Sequence, residues 1–170
     1  MPHMQSYVVM TLLGRDRAGL VRQVAEIVAK HGGNWLESRM SRLAGQFAGI
    51  ARISCTEEAG EAIIEEMKTS MPDLAVSAIR ESAPEESQRE HLAIEVTGND
   101  RPGIVRELTT VIASHGANVE ELETRMESAA MAGHPIFRAR AKVSLPHGLV
   151  RHALIAAIEE LGADLLVDLS

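Results

Sequence analysis

At 170 residues the chain has room for one ordinary domain or two small ones, and a hydrophobic content of 45% supplies a core and argues against wholesale disorder. A net charge of −7 and an aromatic content of 2% leave neither a basic footprint for phosphates nor platforms for stacking bases. Direct nucleic-acid binding is therefore not expected, nor is docking on an anionic membrane surface. Cys55 is the only cysteine, which rules out an intramolecular disulfide and Cys-based zinc sites. It ends the run Ile50-Ala51-Arg52-Ile53-Ser54-Cys55 and reads as a buried, inert thiol. No stretch approaches the roughly 18 apolar residues of a membrane helix. The opening Met1-Pro2-His3-Met4 lacks the apolar core of a signal peptide, so a soluble cytoplasmic protein is expected; Met4 suits a native start as well as Met1.

Val8, Met10 and Leu12 occupy alternate positions, the period of a strand with one buried face. A turn follows at Gly14-Arg15-Asp16-Arg17-Ala18-Gly19. Leu20, Val21, Val24, Ile27 and Val28 then form one apolar stripe at helical spacing, and the helix ends at His31-Gly32, where glycine can take the left-handed closing conformation. Strands are expected over about 34–44 and 47–55, broken by Gly45. A second helix carries Ala59, Ala62, Ile63 and Met67, and a strand closes the half. The segment from Glu81 to Glu90 is charged, lacks large apolar residues and reads as a linker.

The same order then returns. Over Gly14–Asn34 and Gly98–Asn118, offset by 84, ten of 21 positions are identical. Leu92, Ile94 and Val96 alternate as a strand, and Gly98-Asn99-Asp100-Arg101-Pro102-Gly103 repeats the turn. Ile104, Val105, Leu108, Val111 and Ile112 repeat the stripe, which ends at His115-Gly116. Strands over about 118–128 and 136–145 flank Met131-Ala132-Gly133-His134-Pro135. Val150, Leu154, Ile158 and Leu161 line a second helix, and Leu165, Val167 and Leu169 alternate in a last strand. Each half is thus β-α-β-β-α-β. With right-handed crossovers this gives an α+β fold of the ferredoxin-like type, a four-stranded antiparallel sheet with both helices on one face. The expected division is 5–80, a linker 81–90, and 91–170. Free sheet faces and edges make a homodimer compatible with this plan.

Two readings of the repeated turn stand side by side. A helix N-terminus with glycine beside it offers N–H groups to a carboxylate or phosphate. Alternatively, Asp16 and Asp100 simply cap the helices, with Pro102 in the first helical turn. The pattern is not a dinucleotide-binding G-x-G-x-x-G, because Asp stands at the second glycine. Asn34 and Asn118 open the strand after each helix, as turn residues or as carboxamides facing the loop of a neighbouring module. His31 and His115 suit helix capping better than ligand contact, and Trp35 suits packing. The seven histidines show no metal-binding spacing, and no catalytic motif appears, so neither catalysis, a cofactor nor a metal is expected.

The stretch Gly98-Asn99-Asp100-Arg101-Pro102-Gly103-Ile104-Val105, followed by His115-Gly116-Ala117-Asn118-Val119, resembles the signature of ACT domains. Gly133-His134-Pro135-Ile136-Phe137, leading to Val143-Ser144-Leu145-Pro146, is similar to the second domain of the glycine cleavage system transcriptional repressor family. The resemblance implies a sensor of a small amino acid, glycine above others, that controls transcription indirectly through a DNA-binding activator as protein partner. It also implies the site: backbone groups of Asp16, Arg17, Ala18, Gly19 and Leu20, and of Asn99, Asp100, Arg101, Pro102, Gly103 and Ile104, around the ligand. Asn34 and Asn118 would lie at its polar end. Ala18 in place of Pro102 and Trp35 in place of Val119 depart from the pattern and point to unequal sites. Two other readings compete: a structural interaction module without a ligand, and the regulatory subunit of a metabolic enzyme.

Overall fold

The computed structural model describes residues 6–81, 89–128, 133–149 and 151–169. The chain divides into two compact units, Met1–Glu86 and Ser87–Ser170. The first contains β1 (Ser6–Arg15), α1 (Leu20–Lys30), β2 (Asn34–Leu43), β3 (Gln46–Cys55), α2 (Glu57–Ser70) and β4 (Leu74–Glu81). The second contains β5 (Glu90–Asn99), α3 (Ile104–Ser114), β6 (Asn118–Ser128), β7 (Pro135–Leu145), α4 (Arg151–Glu159) and β8 (Leu166–Leu169). The sheet orders are β2-β3-β1-β4 and β6-β7-β5-β8, antiparallel throughout. Both units therefore have the expected α+β fold. Most of the expected linker, residues 82–88, lies outside the described residues, as does Val150.

One core fills each unit between sheet and helices. Met10 and Leu12 of β1 meet Val24 and Val28 of α1 and Ile63 and Met67 of α2 in the first. Ile94 and Val96, Leu108 and Ile112, and Leu154 and Ile158 do the same in the second. The helical stripe is narrower than its spacing suggests. Val21 and Val105 are 42% and 38% exposed, because a single layer of sheet covers only the face centred on Leu20, Val24, Ile27 and Val28 and its counterpart. Leu161 falls just past α4 but still packs on the core. Cys55 is buried, and burial pushes its thiol pKa up against the opposing field of Arg80. That is the inert state expected of it.

Each first helix is closed at its C-terminus as its His-Gly pair suggests. His31 and His115 are the C-cap residues, with Gly32 and Gly116 both at φ 73°. The His115 ring nitrogen Nδ1 lies 2.8 Å from the Val111 carbonyl, satisfying a helix-end acceptor. His31 turns instead to α2, with Nε2 2.6 Å from Glu66 Oε2, and Lys30 Nζ donates to the same carboxylate at 2.9 Å. Trp35 packs against the first core.

The free faces of the two sheets differ in chemistry. In the first, Leu13, Ile50 and Ile79 lie exposed on one face, and Arg52 stacks over the Tyr7 ring at 4.8 Å. In the second, ion pairs occupy the centre of the corresponding face, with Leu166 exposed on its edge strand. Glu95 sits between Arg138 and Arg140, at 3.6 and 3.0 Å, and Arg138 also approaches Glu127.

The β2–β3 connection is a two-residue hairpin, Ala44-Gly45, with φ of 49° and 77° between the paired residues Leu43 and Gln46. Positive φ at both positions is the type I′ turn, which asparagine-glycine fits and alanine strains. Replacement Ala44→Asn is expected to stabilise the protein by about 1 kcal/mol in urea unfolding. No gain would show that the hairpin is not held in this conformation.

Candidate functional site

In each unit the first strand runs into the first helix through the same turn. Leu20 N–H donates to the Arg17 carbonyl at 3.3 Å, with Gly19 at φ 79°, ψ 5°. Ile104 N–H donates to Arg101 at 3.3 Å, with Gly103 at φ 88°, ψ −2°. These glycine angles are those of the third residue in a type II turn, a position that favours glycine, while the second position favours proline. Pro102 therefore serves the turn and lies before the helix, not in its first turn. Ala18 holds the same place without the ring that fixes φ.

The capping expectation is also corrected. The N-cap residues are Gly19 and Gly103, and no side chain caps either helix. The Asp16 carboxylate instead lies 2.8 Å from Arg42 Nε, and Asp16 N–H donates to the Gly45 carbonyl at 2.9 Å, which ties the turn to the β2–β3 hairpin. Asp100 N–H makes the matching bond to the Pro135 carbonyl at 3.0 Å. Leu20 and Ile104 are buried in the cores, so only their backbone is available at the site. Asp16, Arg17, Ala18, Gly19 and Leu20 thus form one turn, and Asn99, Asp100, Arg101, Pro102, Gly103 and Ile104 its twin.

Asn34 and Asn118 do not join these turns within a unit. Gly14 pairs with Phe47 and Asn34 with Ser54, positions seven residues apart on β3. At strand rise that is about 23 Å. Asn118 pairs with Ser144, while Gly98 pairs with Phe137, the same separation. Among the described residues no group of three or more His, Cys, Asp or Glu side chains could hold a metal ion.

The two turns differ in their surroundings. In the second unit Asn99 N–H donates to the Asp164 carboxylate at 2.8 Å. Arg101 donates to the Leu161 carbonyl at 3.3 Å and pairs with Glu107 at 2.6 Å. In the first unit Arg15 replaces Asn99, and Arg17 donates to Gln23 at 2.6 Å where Arg101 meets Glu107. Arg15, Asp73, Asp164 and Arg42 are absent from the sequence-based site. Asp73-Leu74 and Asp164-Leu165 do repeat, but at an offset of 91 rather than 84, beyond the alignable stretch.

Charge follows this geometry. The Asn99 N–H and then its own backbone N–H hold the Asp164 carboxyl below its usual range, with Arg101 adding to the effect. A carboxyl depressed in the folded state adds stability above its unfolded value, and that contribution disappears as pH falls through the folded value. Asp164→Asn should therefore be less stable than the parent at neutral pH. In urea unfolding followed across pH, the gap should begin to close near about pH 4, where an unfolded Asp titrates, and vanish as pH falls below the lower folded value. A gap that persists unchanged in acid would contradict the assignment.

The ACT domain family model matches residues 6–78 and 90–127, one segment in each unit. The glycine cleavage system transcriptional repressor of Escherichia coli K12 is 30% identical over 129 residues, 74% of this chain and 67% of that protein. The UPF0237 protein MK1213 of Methanopyrus kandleri is 37% identical over 75 residues, 44% of this chain and 81% of that protein. A crystal structure of an unknown protein from Galdieria sulphuraria matches with a TM-score of 0.85 and 31% identity over 98% of both chains. With a β-α-β-β-α-β unit under each matched segment, the chain belongs to the ACT domain family and carries the domain twice in tandem.

Proposed function

We propose that this protein is a non-catalytic regulator that binds a small amino acid, glycine above others, and controls transcription of amino-acid metabolism genes through a protein partner. The observation that carries the reading is the paired type II turn, with Gly19 and Gly103 in the left-handed conformation at the head of a helix. A glycine there brings ligand atoms close to the backbone at the positive end of the helix dipole, where a carboxylate is favoured. The name of the Escherichia coli relative supports the transcriptional output. The net charge of −7 supports an output through a DNA-binding activator rather than direct contact with DNA.

Exposed Leu13, Ile50 and Ile79 on the first sheet favour a protein contact there, a homodimer included. A cytoplasmic location follows from the transcriptional role. The same apolar face is the observation that favours a second reading, an interaction module or enzyme-regulatory subunit with no ligand of its own.

Ligand-linked stability separates the two. An amino acid at about 100 times its dissociation constant adds roughly 2.7 kcal/mol, a rise of about 5–10 °C for a cooperative transition in a chain of this size. A shift selective for glycine or serine in thermal unfolding against the twenty amino acids supports the sensor. No shift with any of them overturns it in favour of the interaction module.

A further inference from the structure

In the first unit a cleft of about 130 Å³ opens between the β1–α1 turn and the α2–β4 connection. Arg15, Arg17 and Leu20 line one side and residues 70–74 the other. Among the described residues no hydrogen bond or ion pair holds the Arg15 guanidinium or the Asp73 carboxylate. The α2–β4 connection is ordered by its own backbone, with Met71 N–H on Met67 and Leu74 N–H on Met71, both at 2.9 Å. Gly14 lies directly beneath it, where a Cβ would stand 2.8 Å from the Asp73 carbonyl oxygen.

The second unit shows what the equivalent place attracts. Gly98 lies under Leu165 as Gly14 lies under Leu74, so Asp164 is the counterpart of Asp73. There the protein's own carboxylate has entered the turn, resting on Asn99 N–H at 2.8 Å and held further by the charge of Arg101. The first unit has a second guanidinium at this point, Arg15 for Asn99, and its aspartate has not moved in.

We infer that the cleft between Arg15, Arg17 and Asp73 holds the zwitterion of a small amino acid, and that Asp164 fills the corresponding place in the second unit. The inference rests on the amino-acid-binding reading above and adds to it a site within the first unit alone. Guanidinium groups bind carboxylates through paired, charge-assisted hydrogen bonds. Asp73 supplies the opposite charge for an ammonium group.

Isothermal titration of the full chain with glycine, serine and acetate, in a buffer free of other carboxylates, tests this. One equivalent of amino acid per chain is expected. Arg15→Gln and Arg17→Gln should each weaken it at least tenfold, while Asp73→Asn weakens glycine but leaves acetate unchanged. Arg15 and Asp73 are exposed, and circular dichroism on each variant verifies folding. Two equal sites per chain, or undiminished glycine affinity in Arg15→Gln, would overturn the cleft while leaving amino-acid sensing intact. Acetate binding that is lost in Arg15→Gln, without binding of any amino acid, would overturn the zwitterion assignment and the sensor together. No binding of glycine, serine or acetate would overturn both.

Discussion

In each unit the first strand turns into the first helix, and that reversal depends on one residue in the left-handed backbone conformation. Gly19 and Gly103 occupy it, at φ 79° and 88°. A side chain there would cost energy that the short turn has no means to recover. With the glycine in place, the next residue drops into the core as Leu20 or Ile104. The helix then starts at a set point above the sheet. The turn must also clear the connection that follows the second helix, which is why Gly14 and Gly98 lie beneath Leu74 and Leu165. Helix start, hairpin and final strand therefore meet at one end of each sheet, with exposed backbone between them.

Duplication has preserved this frame and allowed the surroundings to diverge. In the second unit the turn is satisfied internally by Asp164, Glu107 and the Leu161 carbonyl. In the first unit the same turn keeps Arg15 unpaired among the described residues, and its Asp16 is engaged by the neighbouring hairpin through Arg42. The sheets diverge in parallel. One free face carries exposed Leu13, Ile50 and Ile79, and the other a lattice around Glu95. An apolar face gains from being covered, whereas a network of satisfied charges gains little. The unpaired Arg15 of the turn and the exposed apolar side chains of the sheet thus both lie on the first unit.

Most of the fold was legible in the sequence because its periods are strict. Val8, Met10 and Leu12 alternate as one sheet face requires, and the His-Gly pairs end both first helices where the structure ends them. Val21 and Val105 misled, since helical spacing marks a stripe's centre better than its width. Asp16 and Asp100 misled as well, because a type II turn puts glycine in the capping position and sends the aspartate elsewhere. The partners of the turn were out of reach for a different reason. Asp73 and Asp164 arrive from the far end of each unit through sheet pairing, and their different offset hides the correspondence. Asn34 and Asn118 stand at the other end of the sheet, so spacing alone could not place them beside the turns.

On this reading two copies of one turn have become unequal, the first open to a ligand and the second filled by its own side chain. Backbone amide NMR of the uniformly ¹⁵N-labelled full chain, titrated with glycine, tests it most directly. Saturable shifts are expected at Arg15–Leu20 and Asp73, with Asn99–Ile104 and Asp164 nearly still. Equal shifts in both turns, or shifts confined to the second, would contradict it.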